Sequence, residues 1–165
     1  GVQTCALPIS DARLYSRNPE WYEKDGFHRF PVLELDSSRS VTPWVYSQEA
    51  KSKDVGADGA PGYFCPAEID PELEKKLKHF ALRAHLLLNA LDISRTDIRL
   101  DEEGNPRLME INTLPGLTPD YSDLCLQAKA EGIRYEDLIL DILYLGASRW
   151  GMLEPREVPH TNGKK

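Results

Sequence analysis

Residues 94–118 read SRTDIRLDEEGNPRLMEINTLPGLT, and their alternation decides the fold. Successive side chains of an extended strand point to opposite faces. Arg95, Asp97 and Arg99 therefore share one face, and Ile98 and Leu100 the other. In the second half Leu108, Glu110 and Asn112 share a face opposite Met109 and Ile111. Asp101-Glu102-Glu103-Gly104-Asn105 between them has the composition of a hairpin turn. A loop over residues 102–105 pairs Asp101 with Pro106, Asp97 with Glu110 and Arg95 with Asn112. A slip of one residue would set Asp97 beside Met109 or Ile111 and place a charge on the apolar face. The favoured register gathers two carboxylates and an amide.

Directly opposed residues have Cβ atoms about 5 Å apart. Carboxylates that close repel each other, and a divalent cation removes the conflict. Magnesium takes hard oxygen ligands and keeps water or phosphate in its remaining positions. Asp97, Glu110 and Asn112 suit that chemistry; the alternative is a pair of solvated acids on an open sheet face. Asn112-Thr113-Leu114-Pro115-Gly116 continues from the strand. Pro then Gly predicts a type II turn with positive φ at the glycine. A backbone N–H there, next to a metal, can stabilise an oxyanion. Arg95, on the same face as the acids, can meet a phosphate with its planar guanidinium or make a salt bridge to one of them.

Arg95-Thr96-Asp97 followed by Met109-Glu110-Ile111-Asn112-Thr113-Leu114-Pro115-Gly116-Leu117-Thr118 resembles the signature of the D-alanine–D-alanine ligase family, within the ATP-grasp superfamily. Glu49-Ala50-Lys51 and Phe64-Cys65-Pro66-Ala67 resemble the family's active-site loop and the segment after it. Gly132-Ile133-Arg134-Tyr135 and the helix after it resemble its C-terminal end. Coverage runs over residues 30–149. The implied fold is α+β, the C-terminal lobe of an ATP-grasp domain, mainly antiparallel sheet with flanking helices.

The resemblance implies an ADP-forming ligase that joins a carboxylate to an amine through an acyl phosphate, in the cytoplasm, for peptidoglycan and the cell wall. Asp97, Glu110 and Asn112 would hold two magnesium ions (manganese as a substitute) against ATP phosphates. Arg95 and the Gly116 N–H would stabilise the tetrahedral intermediate. Lys51 would reach a phosphate, Glu110 and Met109 would serve the nucleotide, and Met109 would lie under adenine unless it is core packing. The implied partners are amino-acid substrates, the N-terminal lobes of the same protein and a second copy in a homodimer. Without those lobes the chain is expected not to turn over. Other readings are a ligase for another dipeptide or a depsipeptide, and a non-catalytic ATP-grasp-like binding module. The aromatic residue that follows the loop lysine in the family is Ser52 here. The serine that holds the acceptor carboxylate falls, without gaps, at Tyr121, with Ser122 one position on.

The rest of the chain frames this segment. The 165 residues carry a net charge of -7, which argues against a nucleic-acid partner. Cys5, Cys65 and Cys125 have no zinc spacing, and no apolar run approaches a membrane span. Residues 1–9 match the translation of a common sequencing-adapter stretch and are set aside as a scar. Residues 10–26 have no clear assignment, 27–152 form the partial ATP-grasp domain, and 153–165 a polar tail. Residues 28–36 alternate like one strand, Trp44-Val45-Tyr46 like another, and residues 51–62 form a loop. Asp70-Pro71 caps a helix that carries Leu73, Leu77, Phe80, Ala81, Ala84 and Leu88 on its apolar face. A short helix covers residues 124–130 and ends at Gly132. A last helix covers residues 135–149, with Leu138, Ile139, Ile142 and Leu143 buried.

Overall fold

The computed structural model describes residues 2–8 as backbone, and residues 16–38, 40, 58 and 60–154 in full. The strand expected at Trp44-Val45-Tyr46, and Lys51 with most of its loop, lie outside the described residues. So do residues 155–165, most of the expected tail.

The elements are β1 (Val2–Pro8), a single 3-10 turn (Pro19–Trp21), β2 (Phe27–Arg29), β3 (Leu33–Asp36), β4 (Gly62–Phe64), α1 (Pro71–Leu87), β5 (Ser94–Leu100), β6 (Pro106–Asn112), α2 (Asp123–Ala130) and α3 (Tyr135–Arg149). One sheet runs β4-β3-β1-β5-β6, with β2 paired to the far end of β1. Every described pairing is antiparallel. The strand expected over residues 28–36 is two, β2 and β3. Pro31 has no N–H to give a sheet ladder, and the chain breaks there. Gly62–Phe64 adds an edge strand that the sequence did not signal.

Residues 1–9 were set aside as a scar and given no place in the fold. Instead Val2–Pro8 pairs with β2, β3 and β5 in the middle of the sheet. These bonds join backbone groups, which any extended segment carries. They bear on where the stretch lies and not on its origin.

Helix α1 begins where expected. Asp70 Oδ1 accepts from the backbone N–H groups of Glu72 (2.9 Å) and Leu73 (3.3 Å), and Pro71 occupies the first turn. Its buried residues are Leu77, Ala81, Leu82 and His85. Leu88, expected on that face, is exposed, and His85 takes the place one turn earlier, its Nδ1 2.6 Å from Ser94 Oγ. Leu77 packs on Ile98 and Val32, so α1 covers the Thr96/Ile98 face of β5. A second cluster gathers Tyr22, Phe30, Ile93, Leu124, Cys125, Ala128, Leu138 and Leu145, and holds α2 and α3 together.

Helix α3 departs from the expected face. Leu143 is exposed, and the buried positions are Leu138, Asp141, Leu145 and Ser148. Asp141 is fully buried because three donors meet it. Ser16 donates from Oγ (2.6 Å) and Arg17 from its backbone N–H (2.9 Å), both to Oδ1, and the Tyr22 hydroxyl donates to Oδ2. Burial, with the Asp141 charge beside it, pushes the Tyr22 phenol far above its ordinary range. Part of the unassigned stretch 10–26 is thus an anchor for the last helix.

Candidate active site

Strands β5 and β6 set the site. Arg95 pairs with Asn112, Thr96 with Ile111 and Asp97 with Glu110, the register expected there. Below Asp97 the count changes: Ile98 pairs with Leu108, Arg99 with Arg107 and Leu100 with Pro106. Met109 is therefore the extra residue of a β-bulge. The turn spans residues 101–105, one longer than expected, and the bulge absorbs the difference. Directly opposed residues share a face. Arg95, Asp97, Glu110 and Asn112 lie on one side, and Thr96, Ile98, Leu108 and Ile111 on the other. Leu108, expected beside Glu110, changes face because of the bulge. Met109 is 63% exposed, so it is not core packing.

The turn is built by Asp101. Its Oδ1 accepts from the N–H groups of Asn105 (2.7 Å) and Glu103 (3.1 Å), and its Oδ2 from Arg107 Nε (2.9 Å). The Asn105 N–H holds the Asp101 carboxyl below its ordinary range, against an opposing desolvation, with Arg107 and the Glu103 N–H adding to the lowering. Gly104 supplies the positive φ of 76° that closes the loop.

On the polar face the Arg95 guanidinium stands among three carboxylates of the described residues. It donates from Nε to Asp97 Oδ1 (2.8 Å) and from Nη2 to Asp97 Oδ2 (3.0 Å), a bidentate pair. It also donates from Nη1 to Asp123 Oδ2 (3.0 Å), and its Nη2 lies 3.9 Å from Glu110 Oε1. Arg95, Asp97 and Asp123 are largely buried, while the Glu110 side chain is 61% exposed. Asn112 turns its Oδ1 back to accept from the Leu114 N–H (2.9 Å). A carbonyl oxygen has two lone pairs, so this bond leaves one for another donor or a cation.

These residues fit a magnesium ion by chemistry: two opposed carboxylates and an amide oxygen, all hard donors. Among the described residues no group of three or more His, Cys, Asp and Glu side chains forms a shell by itself. The set instead includes an amide.

Gly116 departs from expectation in its backbone. It is not among the glycines with positive φ, so the expected type II turn is not formed. Its need for glycine is spatial. A Cβ at Gly116 would lie 2.7 Å from Ser122 Oγ. That hydroxyl accepts from the Thr118 N–H (2.9 Å), and Tyr135 donates from its hydroxyl to the Leu117 carbonyl (3.0 Å). The loop after β6 is folded back against the start of α2. Gln127 on α2 donates from Nε2 to the Pro31 carbonyl (2.7 Å), and Glu131 just beyond it meets His28 Nε2 (2.8 Å). These ties hold the helix that presents Ser122 and Asp123.

Sequence reading singled out Ser122 only as a near miss and did not single out Asp123. An acid in the first turn of a helix is common, because it complements the helix dipole, and it carries no further signal.

The antiparallel sheet of the described residues, with α1 on one face and an acid–amide site on the other, has the fold of the C-terminal lobe of an ATP-grasp domain. The match to solved structures agrees. A D-alanine–D-alanine ligase from Bacillus anthracis aligns with a TM-score of 0.60 at 23% identity, over 90% of this chain and 40% of that one. The VanG D-Ala:D-Ser ligase from Enterococcus faecalis aligns at 0.58 and 21%, over 87% of this chain and 35% of that one.

The chain belongs to the family described as D-ala D-ala ligase C-terminus, whose model matches residues 30–144. A D-alanine–D-alanine ligase from Nitrosococcus oceani is 42% identical over 113 residues, 68% of this chain and 33% of the relative. One from Erythrobacter litoralis is 46% identical over 85 residues, 50% of this chain and 26% of the relative. The chain thus spans about a third or less of the length of these relatives. No helix among the described residues is long and apolar enough to cross a membrane.

Proposed function

We propose that the chain is the metal-holding lobe of an ATP-dependent, ADP-forming ligase that joins a carboxylate to an amine, of the D-alanine–D-alanine ligase type, working in the cytoplasm. The observation that carries this reading is the pairing of Asp97 with Glu110 beside Arg95 and Asn112. The names of the relatives support the bond type, and a relative from Bacillus anthracis has been solved complexed with ATP.

In this reading Asp97, Glu110 and Asn112 offer oxygens to magnesium, which when bound offsets phosphate charge during phosphoryl transfer. Arg95 orients an anionic oxygen with its planar donors. Met109, exposed in its bulge, offers a polarisable surface to a flat ring. The Ser122 hydroxyl, which accepts from the Thr118 N–H two residues after Gly116, would serve the acceptor carboxylate in place of the serine replaced by Tyr121. Lys51 would meet a phosphate, as the family resemblance implies. ATP would lie between this lobe and upstream lobes of a longer protein, so this chain alone would give no turnover.

Glu110→Gln tests the reading at two levels. Binding of Mn2+ to this chain, followed by the broadening it causes in NMR signals of β5 and β6, is expected to weaken. ADP formation by the full-length ligase is expected to fall by about 100-fold or more. Equal Mn2+ binding and equal turnover in wild type and variant would remove Glu110 from the metal site.

A further inference from the structure

Among the described residues three carboxylates surround Arg95, but they differ in kind. Asp97 and Glu110 lie on the paired strands, on the face that the proposed function gives to a cation. Asp123 comes from elsewhere, the first turn of α2, and its side chain is 9% exposed against 61% for Glu110. Its helix is tied to the rest of the lobe through Gln127 and Pro31 and packed through Leu124, Cys125 and Ala128. Asp123 is therefore the carboxylate of the three that sits on a fixed, buried support outside the strand pair.

The guanidinium is shared by edges. One edge, Nε with Nη2, forks onto Asp97; the remaining nitrogen, Nη1, goes to Asp123. A carboxylate whose two oxygens accept an arginine fork cannot give the same lone pairs to a cation. A cation that binds Asp97 through those lone pairs, on the side facing Arg95, releases the fork. An arginine held by that fork alone would then swing away, since its long side chain has several rotatable bonds and gains entropy when freed.

We propose that Asp123 is a positioning residue. It holds Arg95 by Nη1, so that when a cation takes Asp97 the freed Nε/Nη2 fork stays over the strand face and is aimed at an anionic oxygen. The inference rests on the cation reading above, and it adds a residue that the reading does not use. Arg95 changes partner on one edge and keeps it on the other, so it alternates between counter-ion to Asp97 and ligand to an incoming anion without leaving the site.

Nitrogen NMR of the arginine side chains in this chain tests it, with Mg2+ as the probe. In the unaltered protein Arg95 is expected to show separate, slowly rotating Nη signals. Saturating Mg2+ is expected to shift Nε while Nη1 stays held. In Asp123→Asn the Nη signals are expected to average in the presence of Mg2+, and Asp123→Glu is expected to restore the separation. The backbone amide spectrum reports whether each variant is folded. Should Asp123→Asn lose its dispersed spectrum, Asp123→Ser replaces it and is read in the same way. A response of Arg95 to Mg2+ with no effect of the Asp123 substitution would overturn the positioning role and leave the cation reading standing. Averaging in the variant with no response to Mg2+ would support the clamp and overturn the cation reading.

Discussion

Gly116 shows how a glycine can be favoured for a reason other than the expected one. Its backbone does not require glycine; the Ser122 hydroxyl crowds the position, 2.7 Å from where a Cβ would stand. Gly116→Ala must push that hydroxyl aside and break its bond to the Thr118 N–H. The expected cost is about 1–3 kcal/mol, measured by urea unfolding. The double change Gly116→Ala/Ser122→Ala should recover part of it, because the crowding oxygen is gone. A single variant as stable as wild type would mean that the loop stands off from α2. Site residues differ in how legible they were in sequence. Asp97, Glu110, Asn112 and Arg95 follow from strand parity, since side-chain direction in a strand is fixed by period. Ser122 and Asp123 approach through a loop and a helix start, where no period relates a side chain to the sheet.

Elements read well where local rules act. Asp70-Pro71 starts α1, Tyr135–Arg149 has the expected bounds, and Gly132, with φ 76°, closes the helix before it. Faces read less well. Leu143 looked buried by spacing, yet Asp141 is inside because donors distant in sequence meet it, and Pro31 divides an alternating run that looked continuous. The hairpin register came out right at the site although the turn was counted one residue short; the Met109 bulge makes up the difference. The contact of α1 with β5 carries a pH dependence through His85. Burial pushes the His85 imidazole below its ordinary value of 6.5, and the Ala90 backbone pulls back in part. The unfolded chain therefore takes up that proton first as pH falls below 6.5. Stability should decline from there until the folded imidazole itself titrates. Unfolding free energy measured from pH 7.5 downward should show this slope. His85→Gln should flatten it, and an equal slope in the variant would assign the proton elsewhere.

Across the molecule, residues 16–22 and helix α3 are joined through Asp141, more than a hundred positions away in sequence. The tie closes one side of the cluster that supports α2, and so bears on the site at a distance. Asp141→Asn keeps the shape but turns an amide NH2 toward groups that donate. It should cost on the order of 3 kcal/mol, and Tyr22→Phe about 1 kcal/mol, read from chemical unfolding midpoints. Equal losses for the two would mean that the carboxylate has no special part. The hairpin has a further consequence for tolerance to change. The surplus residue at Met109 separates two ways of counting along the same pair of strands, one for the turn and one for the acids. Variation in the solvent-facing residues 102–105 would therefore be taken up before it reached Asp97 and Glu110. Related chains should be free to drift at that tip while the spacing of the acids stays fixed.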